Sequence, residues 1–348
     1  MKKLILLVFI CFLFSKADAT IHTVNNMPNG PGQFATIDAA ITVSSGGDTI
    51  YVNASTLPYP AFTITKSLTI IGPGAFNQTQ WNTDAVVGTI TINSNINGIK
   101  IKGINTSNIS LNAKNNVNNV EIANNYITSV ISISSLTNCS NIIIRNNIIK
   151  SSNTTAIDFL GTTIANGNSN FLIENNIIEN ASNAAIRALS VFNSIIQNNI
   201  FLGGSSNTNT FVGTNSNLII QNNIFYNKNA STNVSSSSYY NNLTYSNSAA
   251  LPALGGNNLD NQDPIFVNVP SALWNVSYNY HFQPSSPCIN AGNDSTDIGY
   301  FGGANTNVTT TGEVYNMPVI RSMSIQNTSV PQNGNVNVKV RSTKSRTN

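Results

Sequence analysis

Between residues 120 and 226 apolar positions recur every second residue in short runs, and a pair of asparagines cuts each run in the middle. The pattern reads "VEIANNYITS" from Val120, "NIIIRNNIIK" from Asn141, "FLIENNIIEN" from Phe171, "SIIQNNIFLG" from Ser194 and "LIIQNNIFYN" from Leu218. Aligned on the first asparagine (Asn124, Asn146, Asn175, Asn198, Asn222), the copies lie 22 to 29 residues apart, a period typical of solenoids. Isoleucine stands two residues before it every time, at Ile122, Ile144, Ile173, Ile196 and Ile220. Ile127, Ile149, Ile178, Phe201 and Phe225 stand three residues after it.

Earlier copies, "LTIIGPG" from Leu68 and "IKIKGINTS" from Ile99, carry Gly72 and Gly103 at the asparagine position, and "YYNNLTYSN" from Tyr239 is a weaker late copy. Glycine and asparagine are the residues that tolerate a left-handed backbone, so this position predicts a tight corner between two strands. The alternation by two is that of strands, and the period is too short for a helix and a strand with their loops. Each repeat then forms one coil of short strands, and successive coils stack about 4.8 Å apart. The aliphatic residues fill the bore. The five first asparagines are expected to stack as a ladder of amides. Two further stripes run out of phase with the bore and are expected to face outward: Ile143, Leu172, Ile195, Ile219, and Ile148, Ile177, Ile200, Ile224. They serve as strand formers, lie under loops, or mark a contact surface.

These repeats resemble those of the right-handed parallel β-helix proteins of the pectin-lyase-like superfamily, over roughly Phe34 to Gly303. The resemblance implies an all-β solenoid, and a fold that carries lyases, hydrolases, esterases, adhesins and spacers alike. "FATIDAAITV" places Phe34, Ile37, Ala40 and Ile41 on one face of a short helix that plugs the bore. "DNQDPIFVN" from Asp260 and "YHFQPSSPCINAG" through "TDIGYFGG" are similar to the closing segment of secreted bacterial β-helix proteins, the choice-of-anchor type included.

The ends divide the chain further. Residues 1–19 read as a signal peptide: Lys2 and Lys3, an apolar run from Leu4 to Phe14, then Ala17-Asp18-Ala19. The mature chain is expected to be exported, secreted or held at the cell surface, and to contain no membrane-spanning segment. The β-helix occupies residues 20–303, a linker 304–312, and a β-rich tail 313–348, where apolar and polar residues alternate around Asn333-Gly334 as in a hairpin. Cys139 and Cys288 are expected to be buried and unbridged, several coils apart.

Composition narrows the partners. Charged residues are only 8 % of the chain, while about one residue in six is asparagine, so polarity comes from amides that can bond in rows. A net charge of +3, scattered along the chain, argues against nucleic acid. Polysaccharide enzymes on this fold need clustered carboxylates, for acid–base work or for calcium. Between Ile50 and Asn257 the chain has only Asp84, Glu121, Asp158, Glu174 and Glu179, with no paired aspartates and no histidine.

Register pairs Arg145 with Glu174 and Asp158 with Arg187, as cross-strand ion pairs on an outer face. "DFLG" at Asp158 resembles the Asp-Phe-x-x-Gly element of pectin methylesterases, which would make Asp158 a nucleophile and Arg187 its charge partner. The family's second aspartate and its Gly-Arg-Pro-Trp element have no counterpart here. Asp294 and Asp297 in "NAGNDSTDIG" are oxygen donors suited to calcium or to turn capping. Tyr239, Tyr240, Tyr245, Trp274 and Tyr278 gather near the last coils and form the candidate platform for sugar rings. The sequence therefore leans toward an exported scaffold or adhesin that binds polysaccharide without catalysis and without cofactor. Its rival is a lyase, glycoside hydrolase or pectin esterase acting on acidic polysaccharide.

Overall fold

The structure is a computed structural model that describes residues 19–74, 84–151, 155–204, 208–230, 233–246, 251 and 255–304. In the tail it describes residues 318–325, 334, 336 and 338–344. Most of the expected signal peptide, all of the linker from residue 305, and Asn333 of the expected tail turn lie outside these residues.

The chain winds into a right-handed parallel β-helix, the hand nearly all parallel crossovers take. One sheet stacks eleven strands from Ile21–Val24 to Gly255–Gly256, and a second stacks thirteen strands, ending at Leu243–Tyr245. Pairing is parallel throughout both sheets and in register from coil to coil. In the first sheet Ile101, Ile122, Ile144, Ile173, Ile196 and Ile220 form one column, and Tyr239 closes it. In the second, Ile127, Ile149, Ile178, Phe201 and Phe225 form another, with the Phe201 and Phe225 rings stacked at 5.1 Å. All of these side chains are buried in one continuous core. Each such isoleucine contributes about 1.5–3 kcal/mol by leaving water, so the columns are the main driving term. Cys139 and Cys288 are buried and free, as their spacing implied.

A helix, Ile37–Val43, plugs the first coil with Ile37, Ala40 and Ile41. Thr36 caps it: its side-chain oxygen accepts from the Ala39 N–H. At the other end Lys66 Nζ donates to the carbonyls of Ile41, Thr42 and Ser44, a cation where unpaired carbonyls gather. Phe34 does not belong to the helix. It precedes it and bridges to Val24.

The corner asparagines divide their labour, and this corrects the expected ladder. Asn124, Asn146, Asn175, Asn198 and Asn222 hold φ between 49° and 56°, so the first asparagine makes the left-handed corner. The column of linked amides runs one residue later, through Asn125, Asn147, Asn176, Asn199, Asn223, Asn242 and Asn258, with Nδ2 to Oδ1 distances of 2.9–3.2 Å. The left-handed turn swings the next side chain into the interior, where only another amide can satisfy it. Asn176 Nδ2, for example, also donates to the Ile144 and Glu174 carbonyls. The glycines at this position differ in their reasons. Gly103 has φ 67°, whereas Gly72 is needed because a Cβ would lie 2.3 Å from the Gly103 carbonyl oxygen.

The first sheet's outer face carries a polar column. Lys102 and Arg145 both pair with Glu121, at 2.9 Å from Nζ and from Nε. Arg145 lies in register with Glu174 but at 3.8 Å, so its closer partner is the coil below. Gln197 and Gln221 extend the column, Gln197 donating to Glu174 at 2.9 Å and Gln221 to Gln197 at 2.8 Å. Beside it Ile143, Leu172 and Ile195 are half-buried and Ile219 is exposed, as expected of an outward stripe.

The other outward stripe lies beneath a covering segment, one of the roles expected for it. Ile148, Ile177, Ile200, Ile224 and Leu243 form a second core with Phe266, Trp274, Tyr280, Cys288, Ile298 and Tyr300. The closing segment, residues 259–303, runs back along the flank and covers them. It bonds to the corner asparagines coil by coil: Asn241 to the Ala291 carbonyl, Asn222 to Asn293, Asn175 to the Tyr300 and Gly302 carbonyls. In the tail, Pro318–Ile325 and Val338–Lys344 pair antiparallel. No helix among the described residues is long and apolar enough to cross a membrane.

Candidate functional site

The covering segment leaves an open cleft where it meets the last coils of the second sheet. Tyr226 and Tyr245 are register partners on adjacent coils. Their chain neighbours, Phe225 and its register partner Thr244, are buried on the bore side, so strand alternation turns both tyrosines outward. The rings lie 5.0 Å apart at 45°. Opposite them the segment bends at Asp263-Pro264-Ile265, then enters the short strand Phe266–Asn268, which pairs antiparallel with Asn279–Phe282. The resulting cavity of about 210 Å³ is lined by Tyr226, Tyr245, Asp263, Ile265, Phe266, Val269 and Gln283.

Its polar groups are held in place. Asp263 Oδ1 accepts from the Ile265 N–H at 2.8 Å. Gln283 Nε2 donates to the Phe266 carbonyl at 3.0 Å. Ile265 sits at φ 51°, a left-handed conformation that costs a β-branched residue of order 1–3 kcal/mol. The lining is thus a preorganised bend imposed by its surroundings. Burial, then the Asp263 carboxylate, pushes the Tyr245 hydroxyl above its ordinary range. Tyr226 is raised by burial first, then by Tyr245 and Asp263. Both phenols therefore stay neutral donors near neutral pH.

Asp158 and Arg187 stack as register implied. Asp158 Oδ1 accepts from Arg187 Nε at 2.8 Å and from the Leu160 N–H at 3.0 Å, while Oδ2 meets Nη2. The hydrogen bond to Asp158 raises the Arg187 pKa further. Both carboxylate oxygens are engaged by the guanidinium, the arrangement of a structural ion pair.

The expected aromatic platform does not assemble. Tyr239 closes the bore and donates its hydroxyl to the Ala230 carbonyl at 2.7 Å. Tyr240 is 39 % exposed on the outer face of the first sheet. Trp274 is buried in the second core, 5.5 Å from the Tyr126 ring, with its backbone N–H donating to Glu179 Oε2 and Lys150 Nζ 5.9 Å over its ring. Tyr278 is half-buried and shares a hydrogen bond with Ser271. Only Tyr245 of the five lines the cleft. The reason is alternation: neighbours such as Tyr239 and Tyr240 must point to opposite faces of a strand.

Asp294 and Asp297 cap turns. Asp294 Oδ1 accepts from the Thr296 N–H and hydroxyl, and Asp297 Oδ1 from the Asn290 N–H. Among the described residues no group of three or more His, Cys, Asp or Glu comes together as a metal site.

Sequence reasoning missed Tyr226, Asp263 and Gln283. A signal for Tyr226 existed, since Tyr226 and Tyr245 both stand four residues after their corner asparagines, Asn222 and Asn241. Nothing in the linear pattern brings Asp263 and Gln283 to that pair.

No family model matches the chain, and no curated protein matches it. Among solved structures it is similar to the pectate lyase Pel9A, at 16 % identity and a TM-score of 0.45, over 81 % of this chain and 96 % of that one. It is similar to an alginate lyase from Paenibacillus sp. str. FPU-7, at 16 % identity and a TM-score of 0.42, over 64 % and 92 %. It is also similar to PfbA, a surface adhesin of Streptococcus pneumoniae, at 16 % identity and a TM-score of 0.35, over 59 % and 66 %.

Proposed function

We propose that the protein is an exported β-helix scaffold that binds polysaccharide, at the cell surface or outside the cell, without cleaving it. The observation that carries this reading is the outward pair Tyr226–Tyr245 at the mouth of the cleft. Flat aromatic faces bury the C–H faces of sugar rings, while neighbouring polar groups bond to the hydroxyls. A cavity of about 210 Å³ is below the roughly 300–1,000 Å³ of pockets for drug-sized ligands, so it takes one ring of a chain and leaves the rest on the surface.

The test is to run the purified mature protein through gels containing single polysaccharides, and to incubate it with each, with and without calcium. Retarded migration without unsaturated products, new reducing ends or released methanol supports the proposal. Turnover abolished by Asp158→Asn overturns it in favour of a carbohydrate-active enzyme.

A further inference from the structure

We propose that the cleft beneath the closing segment selects an amino-sugar residue, binding its protonated amine beside Asp263 and its ring against Tyr226 and Tyr245. This rests on the polysaccharide reading above and narrows it to one chemical class. The lining of the cleft holds one carboxylate, two phenols and one amide, and no lysine, arginine or histidine. Asp263 is solvent-exposed at the mouth, and its Oδ1 is fixed by the Ile265 N–H. Its charge is felt at both tyrosine hydroxyls, whose pKa values it raises. Gln283 Nε2 donates to the Phe266 carbonyl, which fixes that side chain in the lining. A lining with a carboxylate and no cationic side chain suits a ligand that carries positive charge.

An ammonium meets two favourable partners in this geometry. The carboxylate supplies a charge-assisted hydrogen bond. The tyrosine faces attract cations through their quadrupoles. A uronate ring would bring its own carboxylate up to Asp263 with no cation to offset the repulsion. The site therefore discriminates by charge as well as by shape, and does so against the acidic polysaccharides that the enzyme reading would require. The strained Ile265 fits this role, since its left-handed backbone places the Asp263 carboxylate and the Ile265 N–H on the same bend.

Calorimetric titration of the full mature chain with chitosan oligomers, chitin oligomers and oligogalacturonate tests the inference, at about pH 5.5 where amines are protonated. Wild type is expected to bind the free-amine oligomers at least ten-fold tighter than the N-acetylated ones, as one charge-assisted bond allows, and to reject the uronate. Asp263→Asn keeps an acceptor for the Ile265 N–H, so the bend survives. It is expected to erase the preference, so that free-amine and N-acetylated oligomers bind alike. Equal binding of amine and N-acetylated oligomers, tighter binding of the uronate, or a preference that survives Asp263→Asn overturns the inference and leaves the polysaccharide reading standing. Failure of wild type to bind any oligomer or polymer removes both.

Discussion

Asn147 passes its side-chain amide to Asn176 on the next coil, Nδ2 to Oδ1 at 3.0 Å, and the same oxygen also accepts the Asn147 backbone N–H at 3.0 Å. Two bonds on one acceptor tie each coil to the next at a buried corner, and the motif repeats from Asn125 to Asn258. The first asparagine of each pair has the other task, that of turning the chain.

The two tasks separate by mutation. Asn147→Leu removes the acceptor of the Asn125 N–H and of one Asn125 amide hydrogen, and a donor to the Ile122 carbonyl, at about 1–3 kcal/mol for each buried group left unmet. Loss of at least about 2 kcal/mol in denaturant unfolding is expected. Asn146→Gly keeps the left-handed corner and is expected to cost less than Asn147→Leu. Equal costs at the two positions would contradict the division.

The closing segment is a second, separable layer. Trp274→Ala is expected to cost about 3–5 kcal/mol in that layer. Because the bore columns do not depend on it, limited proteolysis should cut within residues 259–303 first and leave the strands of 120–226 intact. Simultaneous loss of both regions would show one cooperative unit instead.

Lys228 gives a pH signature. It is fully buried, its Nζ donates to the Asn183 and Asn209 carbonyls, and burial pulls its pKa down to about 7. A lysine whose folded pKa is depressed binds fewer protons folded than unfolded between about pH 7 and the ordinary lysine range. Stability should therefore rise with pH through that window, by up to about 5 kcal/mol, and fall back as pH drops toward 7. Lys228→Met is expected to flatten the rise. Thermal unfolding of both proteins from pH 7 to 10 checks the sign.

Asp158→Asn tests the ion pair's role. With Arg187 half-exposed, the pair is worth about 0–1 kcal/mol, so the variant should lose about that much and bind glycan as wild type does. A large binding defect would move the functional surface to that face.

How far the sequence could be read follows from particular residues. Ile122, Ile144 and Ile173 declare the bore because they keep a constant distance from a turn residue and alternate by two. Which asparagine of "NN" turns inward was not legible, since both residue types are the same and only the left-handed φ of the first decides it. Burial of the stripe from Ile148 to Ile224 was one of three roles left open, because the segment that buries it begins only beyond Leu243. Tyr226 and Tyr245 share a repeat position and so were visible in principle. Grouping aromatics by closeness along the chain selected Tyr239, Tyr240 and Trp274 instead, which alternation and the second core send elsewhere. The cleft itself arises between a coil and a returning segment, and no periodicity reports such a meeting.

The central claim is that a glycan sits at the Tyr226–Tyr245 cleft of a non-catalytic scaffold, and hydrogen–deuterium exchange with and without bound polysaccharide tests it most directly. The account predicts slowed exchange confined to the peptides around residues 224–226, 243–245, 263–269 and 281–283. Protection centred on residues 157–160 and 186–188, around Asp158 and Arg187, would contradict it.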